Sequence, residues 1–447
     1  MTDQLTPFSS DQERTEGQLP PPEAMNRRDK IKSEVMAGGA VVENGDDELA
    51  GGWRGALSMA LIGALFVWLA VVNIWWFTFV VGVVIAIFLH ELGHFVTARW
   101  TGMKATQFFL FFGPRLWSFR RGETEYGVRA LPLGAFVRIV GMNRMDDVEP
   151  DDEDRTYRQK SFPRRMLVIS AGSIMHMIIA VLLLFVVYLG QGERTDQFAP
   201  EVFVAQATPS LPAFEAGIED GDQVLSVGGI AVTSAGELGE AVRSFQPGEF
   251  VDVVVVRDGI EQTIPVGLGS NTDESSPFFG EALLGVRSGS PVIYQDHSVG
   301  AAAVNAVTDI VPASWESIQG VVKVLNPVNI VTHLSGTNDD LSSRPTTLVG
   351  VTALTDDVGD AEGIWGVLWV LAVLNVFVGV FNMFPLLPLD GGHAAVAIYE
   401  RVREARRPGT QRYFADVERL MPFAMGVMVL LLSLMTVGLY LDIARPI

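Results

Sequence analysis

Residues 75–98 read WWFTFVVGVVIAIFLHELGHFVTA, an apolar run without a charge before His90. It is long enough to cross a bilayer as one helix. At one end it carries His90-Glu91-Leu92-Gly93-His94. On a helix, positions i and i+4 lie on one face, so His90 and His94 can chelate a single ion. Glu91 sits beside the first of them, where it can take a proton from water. Ionisable residues at the end of an apolar span are expensive and mark function. The plain alternative is a polar helix end that snorkels to the interface. The expected fold class is therefore a polytopic α-helical membrane protein.

Working outward, Ala56 to Trp100 spans 45 residues. A single helix of that length would measure roughly 65 Å, about twice the hydrocarbon core. Two passes turning near Asn73 fit better, with Trp75 and Trp76 in an interfacial belt. The first pass, about 57–72, is short, and an interfacial helix is its alternative. Further apolar segments run from Met166 to Leu189, Ile364 to Phe384 and Met421 to Leu441. The total is four or five membrane segments. The expected organisation is a disordered acidic cytoplasmic tail at 1–54 and a membrane hairpin at 55–100. A membrane-associated β-hairpin loop at 101–165 and a span at 166–190 follow. Next come a small folded domain at 199–270, a connector at 271–362 with an interfacial helix near 299–335, and a span at 363–391. A cytoplasmic loop at 392–420 and a span at 421–441 complete it.

Basic residues flanking the spans orient them. The segment from Arg99 to Arg165 and the loop with Arg401, Arg403, Arg406, Arg407 and Arg412 belong inside, and the acidic stretch from Gly190 to Glu362 outside. This places a multi-pass protein in the cell membrane with His90 and His94 near the cytoplasmic face. The net charge of −20 argues against nucleic acid as a partner. With no cysteine, any metal must be held by His, Asp or Glu. Residues 1–50 contain no apolar signal-peptide core.

In the outer segment, SLPAFEAGIEDGDQVLSVGGIAV (210–232) alternates turn residues with short apolar runs, and Val251–Val256 reads as a strand before an Arg-Asp-Gly turn. This stretch resembles a PDZ domain. The resemblance implies an inserted β-rich extracytoplasmic module that binds extended peptide along a sheet edge.

Two histidines do not complete a catalytic zinc site, which usually has three protein ligands and an open position. No third ligand follows His94 closely. The best candidate is Asp390, in NMFPLLPLDGG (382–392), at the end of a span running in the same direction as the one ending in His94. Pro385 and Pro388 break the helix there, freeing backbone groups that protein or a watery cavity must satisfy. An Asp-Gly turn just past a helix end is the alternative.

HELGH in one span and NMFPLLPLDGG in a later one resemble the site-2 protease family of intramembrane zinc metalloproteases. The likeness extends from about Trp75 to Leu441 and takes in Phe112-Gly113-Pro114 and Gly122–Gly134. It implies His90, His94 and Asp390 as Zn2+ ligands and Glu91 as general base. It also implies Asn382, Pro385 and Gly391 as substrate-positioning residues, with Asn382 assisting at the developing oxyanion. Implied substrates are single-span membrane proteins, such as anti-sigma factors in regulated intramembrane proteolysis, reached through the lipid bilayer. No small-molecule cofactor is implied. One departure stands out: Ala171-Gly172-Ser173-Ile-Met-His176 replaces the Gly-Pro-x-x-Asn pattern of many relatives. His176 reads as a packed or hydrogen-bonded structural residue, and His393 as a neighbour of the ligands.

Two rival readings remain. A non-catalytic adaptor with a structural zinc site would need a fourth protein ligand, and none stands out. A transporter would spread ionisable residues through several spans and show an internal repeat. Here they cluster at one end of two spans.

Overall fold

The computed structural model describes residues 53–142, 148–273, 276–338, 340–406, 413–415 and 420–446. The tail expected at 1–54 lies outside these except for its last two residues, as do Arg407 and Arg412 of the basic loop. Two compact units emerge. One is built from the chain up to Val187 and from Gly300 on, the other from Tyr188–Val299. Among the described residues, five helices are long and apolar enough to cross a membrane.

In the first unit, helix α1 (Trp53–Val72) and helix α2 (Ile74–Trp100) are separated by Asn73 alone. The Asn73 side-chain oxygen accepts the N–H groups of Trp75 and Trp76, each at 2.9 Å, which satisfies two donors that the helix start leaves free. Helix α1 leaves Leu61, Val67, Trp68 and Val71 largely exposed, as suits a lipid-facing element. A pair of long extended segments, β1 (Ala105–Arg121) and β2 (Thr124–Ile139), follows.

These two fold back on themselves. Phe108 pairs with both Val137 and Tyr126, and Tyr126 pairs with both Phe108 and Phe119. The lateral order is therefore 115–121, 124–128, 105–110, 135–139, and the free edges belong to the first and last of these. Tyr126 sits inside the sheet; only 135–139 of β2 presents an edge. Gly113 and Gly134, with φ of 82° and 116°, lie at the bends, where residues with a Cβ are strained.

Helix α3 (Phe162–Gly190) ends the first part of this unit. After the second unit come three short helices, α6 (Val299–Thr308), α7 (Ile310–Val324) and α8 (Pro327–Ser335). The single interfacial helix expected near 299–335 is broken because Asn326 caps a new start and Pro327 occupies its first turn. Helix α9 (Leu348–Asn382) begins well before the expected position 363, and Gly363 (φ 65°, ψ −148°) breaks it at that point. Asp442 caps its start from helix α11 (Met421–Ala444), accepting from Thr347 N at 2.8 Å, Thr347 Oγ1 at 2.7 Å and Gly350 N at 3.2 Å. Phe79 of α2 packs on Val367, Val370 and Leu371 of α9. The stretch expected as a loop from 392 opens instead as helix α10 (Asp390–Ala405).

The second unit begins with β3 (Glu193–Phe198) and holds β4 (Val202–Ala207), helix α4 (Pro212–Ala216), β5 (Gln223–Val227) and β6 (Ile230–Ala231). Helix α5 (Ala235–Arg243), β7 (Phe250–Arg257) and β8 (Ile260–Gly267) follow, then β9 (Gly269–Ser270), β10 (Ala282–Leu283), β11 (Val286–Gly289) and β12 (Val292–Gln295). The main antiparallel sheet runs β11-β4-β5-β7-β8, with β6 on β5. Alternation buries Val251, Val253 and Val255 on one face of β7. Leu238, Ala241 and Val242 of α5 close over that face. The compact unit is wider than the expected 199–270, because β12 pairs with β3 and β11 with β4.

A buried carboxylate clamp in this unit has a pH signature. The Asp222 side chain is 1% exposed. Arg257 donates Nε to Oδ1 and Nη2 to Oδ2, each at 2.7 Å, and Glu219 N donates to Oδ2 at 2.9 Å. Burial pushes the Asp222 pKa up, but the Arg257 guanidinium and the Glu219 N–H outweigh it and hold the carboxyl below its usual range. A depressed folded-state pKa contributes stability above the unfolded value of about 3.9, and this is lost as pH falls through the folded value. The protection of the β7 and β8 amides, corrected for the intrinsic exchange rate at each pH, should therefore fall below about pH 4. Arg257→Ala should already lower it at neutral pH, by the equivalent of roughly 3 kcal/mol.

Candidate metal centre

His90 and His94 lie one turn apart on α2, 8% and 5% exposed. Their Nε2 atoms are 3.2 Å apart. Asp390, the first residue of α10, brings Oδ2 to 3.5 Å from His90 Nε2 and 3.3 Å from His94 Nε2. Two positions 296 or more residues from Asp390 in sequence thus meet at one point. Among the described residues these three form the group able to hold a metal ion, and neither His176 nor His393 joins it.

Glycines make the approach possible. A Cβ at Gly93 would come 2.9 Å from the Ala171 carbonyl oxygen, and one at Gly172 would collide with both imidazoles. Helices α2 and α3 therefore meet backbone to backbone beside the histidines. After Asp390, a Cβ at Gly391 would overlap the Met383 and Phe384 backbone, and one at Gly392 would lie 2.6 Å from Leu387 N. The Pro385–Pro388 segment folds tightly onto the start of α10, so Gly391 belongs to the scaffold of this turn. Leu389 rather than Asp390 ends the irregular stretch. A carboxylate in the first turn of a helix is favoured by the partial positive charge there.

The His94 Nδ1 lies 2.7 Å from Val168 O. A carbonyl oxygen only accepts, so Nδ1 carries the proton and Nε2 offers a lone pair. Asp390 Oδ2 is buried without a hydrogen-bond partner, as is His90 Nδ1. Zinc bonds of about 2.0–2.1 Å in a tetrahedron require ligand atoms roughly 3.3–3.4 Å apart. The three observed separations of 3.2, 3.3 and 3.5 Å bracket that value. Converging lone pairs in an apolar interior are stable around a cation, so the residues present fit zinc.

Glu91, the next residue on α2, lies within electrostatic reach of His94 and Asp390, and its carboxylate also meets the backbone of Val137 on the outer strand 135–139. Phe88, Leu92, Phe95 and Val96 of α2 pack with Phe108, Tyr126 and Val137 of the hairpin on the same side. Asn382 closes α9, and Pro385 lines an apolar cavity of about 760 Å³ with Ser170, Ser173 and Met177 of α3 and Gly379 and Met383 beyond. His176 is buried, its Nδ1 2.7 Å from Asn375 Oδ1. Asn375 was missed at the sequence level, although a lone Asn inside the apolar run 364–384 was the available signal.

Comparison with known proteins places these features in a family. Residues 78–430 match Peptidase family M50. The chain is 34% identical over 399 residues to the zinc metalloprotease Rip1 of Mycobacterium tuberculosis, covering 83% of this chain and 97% of that protein. It is 30% identical to the protein of the same name from Mycolicibacterium smegmatis, with the same coverage. It is 28% identical to a putative zinc metalloprotease of Clostridium perfringens, over 81% of this chain and 96% of that one. A solved PDZ domain of the SdrC-like protein from Listeria monocytogenes is similar at 18% identity, over 21% of this chain and 93% of that chain, with a TM-score of 0.18. The chain belongs to peptidase family M50 and is a multi-pass intramembrane zinc metalloprotease of the site-2 type.

Proposed function

We propose that His90, His94 and Asp390 hold the zinc, that Glu91 is the general base, and that the substrates are single-span membrane proteins cut within or next to their transmembrane segment. The observation that carries this is the convergence of three buried lone-pair atoms at tetrahedral edge distances. Zinc, when bound, supplies a Lewis acid for the scissile carbonyl and for water. Glu91, next to the first ligand in sequence, accepts the proton of the attacking water and returns it to the leaving amine. Asn382 donates to the oxygen on which charge develops.

A substrate helix hides its carbonyls within its own hydrogen bonds, so it must unwind before attack. The outer edge at 135–139 is where the unwound stretch is held extended, taking the place of the Glu91 contact at the Val137 backbone. Sidedness rests on charge: Arg-rich segments between 99 and 165 and between 401 and 412 favour the cytoplasmic side of the plasma membrane, which puts the cluster near that face. The unit at Tyr188–Val299 then lies outside, and its PDZ-like sheet receives the end left by a previous cut. Anti-sigma factors fit this substrate description.

The test is zinc content and cleavage of a single-span reporter in liposomes. Glu91→Gln should keep one zinc per chain and lose turnover by at least about 100-fold. Cleavage by that variant at the wild-type rate would sink the base assignment. Asp390→Ala should emerge from purification without zinc. Gly172→Val, which drives a side chain into both imidazoles, should do the same while the five apolar helices remain inserted.

A further inference from the structure

The two imidazoles of the cluster are held in different ways. His94 is fixed by the bond from Nδ1 to Val168 O. His90 is equally enclosed, yet its Nδ1 makes no hydrogen bond of normal geometry, only an approach to the Gly172 backbone. Metal-ligating histidines normally donate that N–H to an oriented acceptor. What bounds the His90 ring instead is the edge of His94, with centroids 4.8 Å apart, and the ring of His176, with centroids 5.0 Å apart and planes at 46°.

His176 is itself clamped. It stands on α3, 3% exposed, and its Nδ1 lies 2.7 Å from Asn375 Oδ1. Asn375, on α9 and 2% exposed, donates Nδ2 to Leu371 O at 2.7 Å. The Leu371 carbonyl only accepts, which orients the amide and leaves Oδ1 for His176. His176 Nδ1 therefore carries the proton, and the ring cannot turn without breaking this chain of bonds. The closeness of α3 and α9 here depends on Gly379, where a Cβ would come 3.1 Å from the His176 Cβ and 3.2 Å from Ser173 O.

We propose that His176 is a positioning residue: clamped by Asn375, its ring sets the angle at which His90 presents Nε2 to the metal. This rests on the reading of His90, His94 and Asp390 as ligands. The competing role is a hydrogen bond that merely joins α3 to α9. Any side chain that keeps the bond would serve that role, whereas the positioning role also needs the ring.

The full chain in detergent micelles, stripped of metal, is titrated with Zn2+ and with Co2+, whose visible absorption reports ligand geometry. Wild type is compared with His176→Gln, His176→Ala and Asn375→Ala, and the melting temperature is measured without metal. His176→Gln keeps an amide for Asn375 but no ring. It should melt near wild type, bind Co2+ about 10–100-fold more weakly and show a shifted absorption band. Asn375→Ala, which frees the ring, should shift the same band. In the reporter assay both should lower kcat with little change in KM. If the variants that fold bind Co2+ with wild-type affinity and spectrum, the proposal is overturned, and a change confined to melting temperature assigns the pair to helix joining. If wild type binds no Co2+, the ligand assignment falls and this proposal with it.

Discussion

Everything in the first unit answers to one requirement: a carboxylate and two imidazoles from distant stretches of chain must meet within 3.5 Å inside an apolar interior. Side chains of ordinary size would hold helices 8–10 Å apart. Gly93 and Gly172 remove that spacing between α2 and α3, and Gly391 and Gly392 let the Pro385–Pro388 segment fold against the start of α10. The order of importance is steric first and electrostatic second.

Polar groups near the ends of these apolar helices find partners on other helices. Asn73 caps α2 and reaches Asp356 at 2.6 Å, while Trp75 Nε1 donates to Asp360 at 2.9 Å. Asp442 caps α9 from another helix. Arg165 and Glu400 form a buried ion pair at 2.6 Å, and Glu400 also accepts the Ala415 N–H at 2.9 Å. Removing one member of such a pair leaves a buried charge, a loss of several kcal/mol. These bonds tie α2 to α9, α9 to α11, and α3 to α10. The frame that holds the ligands is fastened by a few polar pairs rather than by apolar packing alone.

Much of this was legible in the chain. The apolar runs gave the spans because membrane length is a strong constraint, and HELGH with LDG gave the cluster because each needs a specific geometry. Three things were not legible. The extension of α9 back to Leu348 was hidden by Asp356, Asp357 and Asp360, which read as loop, although Asp356 and Asp360 are bonded to the start of α2. Helix α10 was hidden because Gly391 and Gly392 look like a turn, and only the contact with Met383 and Leu387 shows why they are there. The folding back of β1 and β2 depends on pairings between residues such as Phe108 and Tyr126 that no local pattern encodes. In each case the missing information was a contact made only in the folded chain.

The short outer strand carries a mechanical consequence. Its outer edge is five residues long, 135–139. Five residues occupy about 7.5 Å of a helix and about 17 Å when extended. Any peptide that leaves a helix to lie along that edge lengthens by roughly 9 Å, and its two ends must move apart. A chain fixed at both ends must buckle to absorb that length, whereas a chain with one loose end can shift along its own axis. The short edge thereby sets a requirement on the freedom of the chain's ends, without reading a single side chain.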